Sequence, residues 1–223
     1  MITSAANEKL KLVRKLQDGR WRDKLGLFVA EGEDLVDAAR AAGVEPVELL
    51  VAGENVSPEL LAGAADLPHP PRVVGVYRRA DLPTQKLSLG VALWRVVDPG
   101  NVGAVIRTAG AFGAAVALSD GCADPVSPRA LRASAGAIFR VPLAPFDDAP
   151  GRRVALVAHG GKPLAEISFD EPLTVVLGAE REGLPDELVV RCDEAATIPI
   201  SDQVESLNVA ATAAIALYEA SRR

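Results

Sequence analysis

The sequence predicts an α/β fold: from residue 89 onward a mostly parallel sheet flanked by helices, and before it a smaller α/β unit. Two patterns carry that reading. Continuous apolar runs recur at 89–97, 114–118, 154–158, 173–177 and 195–200, each followed by Gly, Asp or Pro and then by a helical pattern. Runs without alternation read as strands buried on both faces, which is how a parallel sheet sits between helices. In the first block, helical and strand-like segments alternate over shorter lengths, as in a small α/β unit. In parallel sheets ligands bind beyond the carboxyl ends of the strands, so the loops after the five runs are where chemistry is to be sought.

In chain order, residues 1–78 begin with the basic segment "NEKLKLVRK", read as a helix. It is followed by a strand in "LGLFVAEG", a helix over "EDLVDAARAAG", a strand in "PVELLVA", a short helix near "SPELLAGAA" and a strand in "RVVGVY". "RADLPTQKLS", residues 79–88, is polar with an internal Pro and reads as a linker. The second unit then runs from 89 to 223.

The 223 residues suffice for one large or two modest domains, and 49% hydrophobic with 24% charged residues is a globular composition. No stretch approaches the roughly 18 apolar residues of a membrane span, and "MITSAANEKLKLVRK" has no apolar leader core; a cytoplasmic protein is expected. Cys122 and Cys192 belong to no CxxC pair or Cys/His cluster, which argues against structural zinc and a disulfide framework. His69 and His159 lack ligand-spaced partners and read as loop residues, so no metal is expected. The net charge of −6 is uneven: residues 1–24 hold seven basic and three acidic side chains, a local +4 that leaves −10 on the rest. Lys9, Lys11, Arg14, Lys15, Arg20 and Arg22 are therefore candidates for a phosphate-binding edge, although a solvated amphipathic helix reads the same way.

Common nucleotide signatures are missing. The glycines of "DPGNVGAVIRTAGAFG" do not fit G-x-G-x-x-G, "HGGKP" lacks the first glycine of a phosphate loop, and there is no G-x-S-x-G elbow. Three other loops carry polar residues at strand ends. In "DPGNVGAVIRTAGAFG", 98–113, Asn101 can cap the helix, the small residues leave a face for close packing, and Arg107 projects as an anion binder or an ion-pair partner. In "LTVVLGAEREGLP", 173–185, Gly178 ends the strand and allows a ligand close to the backbone before the turn Glu180-Arg181-Glu182. In "IPISDQVESLNVA", from residue 198, a polar turn opens into an almost wholly apolar helix, 207–218, which a core or an interface would explain equally.

These three segments, with "SPRALRASAGAIFRVPL" at 127–143, resemble in order and spacing the motifs of the SpoU (TrmH-like) branch of the SPOUT RNA methyltransferases. The first unit, through "ITSAANEKLKLVRKL" and "FVAEGEDLV", resembles the L30e-like RNA-binding domain that often precedes that catalytic domain. The resemblance implies a SPOUT domain with a C-terminal trefoil knot, a homodimer with its active site completed across the interface, and S-adenosylmethionine as cofactor. It implies methylation of a ribose 2′-hydroxyl in RNA, ribosomal RNA being preferred to transfer RNA because an L30e-like domain suits structured loops. Gly178, Leu177, Ile198, Ile200 and Leu207 then line the cofactor pocket, and Arg107, Asn101, Glu180, Ser206 and Asn208 are the catalytic set. The chain departs from the family at Asp202, where a Gly is usual; Asp202 and Glu205 have capping-box spacing, and a helix cap is the favoured reading. The alternative to an active enzyme is a cofactor- and RNA-binding paralogue of the same fold without activity.

Overall fold

In the computed structural model, which describes residues 1–222 apart from Pro68, Glu171 and Asp202, the basic opening segment forms two helices. They are α1 (Glu8–Leu16) and α2 (Gly19–Leu25). The break falls at Asp18, whose side chain caps α2 by accepting from the Arg20 N–H at 2.9 Å. Next come β1 (Leu27–Glu31), α3 (Glu33–Ala41), β2 (Glu48–Val51), α4 (Pro58–Ala62) and β3 (Val73–Arg78). The strands pair antiparallel in the order β1-β3-β2, with Phe28 opposite Tyr77 and Leu50 opposite Val74.

Alternation along β1 sends its side chains into two cores. Val29 joins Leu10, Val13 and Leu16 of α1, Leu61 of α4, and Val74 and Val76 of β3. Phe28 and Ala30 face the other way, into a core shared with α3 and with Ile138 and Phe139 of the second unit. There Phe28 stacks on Tyr77 at 5.8 Å between ring centroids, and Phe139 meets Tyr77 edge-on at 5.2 Å. Burial pushes the Tyr77 phenol up to about 12.

The second unit contains β4 (Leu89–Leu93), α5 (Pro99–Phe112), β5 (Ala115–Leu118), α6 (Pro128–Ser134), β6 (Leu143–Pro145), β7 (Arg152–Leu156) and β8 (Lys162–Pro163). β9 (Leu173–Leu177), α7 (Asp186–Val190), β10 (Glu194–Thr197) and α8 (Val209–Ser221) complete it. The strands form one sheet in the order β6-β5-β4-β9-β7-β10-β8, and every pairing among the described residues is parallel. Its two faces enter different clusters. Val91, Leu93, Val116, Val175 and Leu177 pack with α5 and α8, while Ala92, Ala117 and Val176 pack with Phe146 and Leu188. This is why the apolar runs do not alternate. The five runs expected from the sequence are β4, β5, β7, β9 and β10; β6 and β8, of three and two residues, are too short for a periodicity to show. Close packing of α5 on α6 rests on Gly103, where a Cβ would lie 2.2 Å from the Ala130 carbonyl oxygen.

The segment 79–88 is tied to the sheet unit. Leu82 is buried, the Pro83 carbonyl accepts from the Leu143 N–H at 3.2 Å, and the Ser88 carbonyl accepts from the Leu173 N–H at 2.8 Å. A buried ion pair adds to the junction. Arg22, 5% exposed, donates through Nε to Asp124 at 2.7 Å and through a terminal nitrogen to the Leu16 and Gln17 carbonyls that end α1. Arg79 reaches the other Asp124 oxygen at 2.9 Å.

Two predictions follow from these buried charges. Arg22→Ala leaves one Asp124 oxygen and two helix-end carbonyls without their donor while Arg79 holds the other oxygen, and is expected to lower stability by about 3 kcal/mol in urea unfolding. Burial holds the Glu31 carboxyl above its usual 4.5, although Gln17 and the Asp66 N–H donate to one oxygen; the other is buried without a partner. The folded state thus keeps this proton to higher pH than the unfolded chain, so its contribution is favourable below pH 4.5 and fades as pH rises through the folded value. Glu31→Gln keeps an acceptor and removes the titration; its Tm relative to the parent is expected to rise between pH 4 and 7.

Candidate functional site

The connections after β4, β9 and β10 lie at the carboxyl edge of the parallel sheet. Asp98, not Asn101, caps α5: its Oδ1 accepts from the Asn101 N–H at 2.9 Å, with Pro99 in the first turn. The expected cap at Asn101 is thereby corrected, and its side chain is free for other partners. Asn101 Nδ2 donates to Glu180 Oε1 at 2.8 Å, and Asn101 Oδ1 accepts from Asn208 Nδ2 at 3.1 Å. Asn208 in turn caps α8, its Oδ1 accepting from the Ala210 N–H at 2.9 Å. One amide therefore joins three loops and three of the candidate catalytic residues. The cap expected at Asp202 lies outside the described residues; the helix itself begins at Val209.

Gly178 is required by the packing of its own loop. The chain turns back after β9, with the Gly183 N–H donating to the Ala179 carbonyl at 2.9 Å, and a Cβ on Gly178 would stand 2.1 Å from the Gly183 carbonyl carbon. Glu180, Arg181 and Glu182 form the tip of this turn.

Beside it lies a cavity of about 460 Å³, lined by Leu177, Gly178, Glu180, Ile198, Ile200, Ser206 and Leu207, so that all five candidate cofactor residues meet there with two of the catalytic set. Glu180 belongs both to the cavity wall and to the Asn101 cluster. The sequence reading missed His159, Glu182, Glu205 and Thr212, which share the lining. His159 follows β7, a run already read as a strand, and its place after a strand end was the available signal. The walls combine aliphatic side chains with three carboxylates and one guanidinium, that of Arg181, a net negative lining suited to a flat apolar ring and a positive charge.

Arg107 is not brought to this cluster within one chain. Six residues of helix separate it from Asn101, about 9 Å of rise and roughly 240° of rotation. It is exposed and lines a second cavity, of about 470 Å³, together with Arg140. The predicted basic edge also divides. Lys9 pairs with Glu48 at 2.6 Å, Lys11 pairs with Glu8 at 2.7 Å, and Arg14 donates to the Ala5 carbonyl. Arg22 must be withdrawn from that edge: it is buried against Asp124, because α2 packs on the sheet unit. Lys15 and Arg20 are exposed and lie over Trp21. Among the described residues no cluster of His, Cys, Asp and Glu could hold a metal ion. No described helix is long and apolar enough to cross a membrane.

A parallel sheet with a half-apolar cavity and a polar cluster at its carboxyl edge defines an α/β domain of the cofactor-binding kind. Residues 88–218 match the SpoU rRNA Methylase family and residues 7–78 the MRM3-like substrate binding domain. The chain belongs to the SpoU rRNA methylase family. It is 32% identical to the 23S rRNA (guanosine(2553)-2′-O)-methyltransferase RlmP of Bacillus subtilis, over 97% of each chain. The crystal structure of an AdoMet-bound rRNA methyltransferase from Sinorhizobium meliloti superposes with a TM-score of 0.87 at 30% identity, covering 99% of this chain and 97% of that one. The SpoU methyltransferase AviRb from Streptomyces viridochromogenes, in complex with AdoMet, gives 0.86 at 25% identity over 97% of each.

Gly178→Ala is expected to cost about 1–3 kcal/mol by overpacking the turn. Thermal unfolding reads the loss, and faster hydrogen exchange at the Gly183 amide locates it.

Proposed function

We propose that the protein transfers the methyl group of S-adenosylmethionine to a ribose 2′-hydroxyl of ribosomal RNA. The observation that carries this is Glu180, shared between the cavity wall and the Asn101–Asn208 cluster. The residues fit the cofactor: Leu177, Ile198, Ile200 and Leu207 offer apolar walls for adenine, and Glu180, Glu182 and Glu205 offset a sulfonium charge. S-adenosylmethionine supplies an activated methyl group, and the transfer to oxygen needs alignment more than a charged catalyst. Asn101, held from both sides by hydrogen bonds, keeps a fixed orientation beside the cavity, and Ser206 and Asn208 add polar groups for the ribose.

Arg107 holds a phosphate next to the target ribose and stabilises the developing alkoxide; as a guanidinium it stays protonated and is not the base. Since one chain keeps Arg107 away from the cluster, the site is completed by Arg107 from a second copy in a homodimer. What supports the dimer is α8, whose Ala211, Ile215 and Tyr218 form an exposed, largely apolar stripe on a helix packed against α5. On this reading residues 1–78 are the RNA-binding lobe, 79–88 the connection and 89–223 a SPOUT domain with its trefoil knot, working in the cytoplasm without a metal.

Arg107→Ala should lose methyl transfer about a hundredfold or more, with the cofactor Kd in calorimetry changed less than about twofold. Mixing Arg107→Ala with Asn101→Ala tests the shared site. If Arg107 acts across the interface, re-equilibrated mixed dimers hold one intact site and recover about a quarter of parental activity; no recovery places both residues in one chain's site.

A further inference from the structure

Of the basic side chains in the first 24 residues, most are engaged within the fold: Lys9 and Lys11 by Glu48 and Glu8, Arg14 by carbonyls and Arg22 by Asp124. Lys15, Arg20 and Lys24 are left, and all three stand over one ring. The Lys15 and Lys24 ammonium groups each lie 5.1 Å from the Trp21 centroid, and the Arg20 guanidinium carbon lies 5.5 Å from it. The nearby carboxylates are committed elsewhere: Glu8 pairs with Lys11 and meets Lys15 only through space, Asp18 caps α2 and Asp23 pairs with Arg79. No ion pair to Lys15, Arg20 or Lys24 occurs among the described residues. Three like charges around one half-buried indole repel one another, and exposed cation–π contacts offset this only weakly. A surface of that kind is completed by a ligand with negative charge and a flat face.

Its placement matters as much as its chemistry. Arg22, next to Trp21, fixes α2 to Asp124, which lies in the connection after β5. That connection is joined to the one after β4 through the Ala123 N–H and the Val96 carbonyl at 2.8 Å. The Trp21 surface is therefore anchored at the same edge of the sheet as the cavity.

We propose that Trp21, with Lys15, Arg20 and Lys24, is a stacking platform for an unpaired nucleotide of the RNA substrate. The base takes the indole face, and the flexible cations move from the ring to the flanking phosphates, releasing counterions. This rests on the RNA-methylation reading and deepens it, since it requires a single-stranded nucleotide at this contact. An acidic peptide would satisfy the cations but leave the ring without a planar partner.

The test uses the full chain with Trp94→Phe, so that emission comes from Trp21 alone. It is titrated with a single-stranded oligouridylate, a fully paired RNA hairpin of equal length, and polyglutamate. Expected are strong quenching by the single strand and weaker quenching by the hairpin; with a fluorescein-labelled oligouridylate, whose anisotropy reports binding without Trp21, affinity is expected to fall about tenfold or more in Trp21→Ala and to be largely restored in Trp21→Phe. Replacing Lys15, Arg20 and Lys24 by Ala should lower the slope of log K against log salt by about 2. Equal quenching by hairpin or polyglutamate, or unchanged affinity in Trp21→Ala, overturns the platform. Calorimetry with S-adenosylmethionine on the same variants checks the fold and should be unchanged. Parental protein that binds the oligouridylate through Trp21 but methylates no ribosomal RNA defeats the functional reading and leaves the platform standing.

Discussion

The side-chain amide of Asn101 is the point on which the site's geometry turns. An amide offers a donor and an acceptor, and here both are used, toward Glu180 79 residues away in sequence and Asn208 107 residues away. Two placements make this possible. β9 pairs directly with β4, bringing the Glu180 turn beside the start of α5, and α8 packs against α5, bringing Asn208 to the same place. Asp98 contributes by capping α5, because an Asn101 engaged in capping could not bridge the other loops. The polar cluster is thus a product of sheet order, and its members need not lie near one another in sequence.

The small first unit is joined to the sheet unit by two different kinds of contact. The aromatic group of Phe28, Tyr77 and Phe139 is non-directional and supplies burial. Asp124, accepting from Arg22 and Arg79, is directional and sets how α2 sits. With residues 79–88 also hydrogen-bonded to the sheet unit, the first unit is tied to it at three places.

Much of this was legible in the sequence because burial on both faces leaves an unmistakable pattern. All five long runs are strands, and β4 and β9 are buried throughout. Four of the candidate cofactor residues converge on one cavity because they stand at or within three residues of the end of β9 or β10, and Leu207 joins them from the stretch that leads into α8. What could not be read depends on partners distant in sequence. Asn101 looked like a cap because its residue type suits one, and only the competing Asp98 decides otherwise. Arg22 looked like the other basic residues around it, and its burial follows from Asp124, 102 positions away. Gly178 was read as leaving room for a ligand, and the requirement the structure adds is the close approach of the Gly183 backbone. Arg107 stands apart because a helix fixes direction as well as sequence, and six residues turn it to another face.

The uneven charge bears on how the molecule meets a polyanion. Residues 1–24 carry +4 and the rest −10, and since Lys9 and Arg22 are paired with Glu48 and Asp124, the cations left for a polyanion are those gathered around Trp21. For a polyphosphate, an acidic body with a few cations gathered at one place is repelling over most of its surface and attracting at that place. If the platform binds RNA as proposed, encounters that persist are those already oriented with α2 toward the polyanion. On that reading the excess of acidic side chains, unfavourable to affinity, suppresses encounters with other faces, and part of the selectivity is exercised before contact.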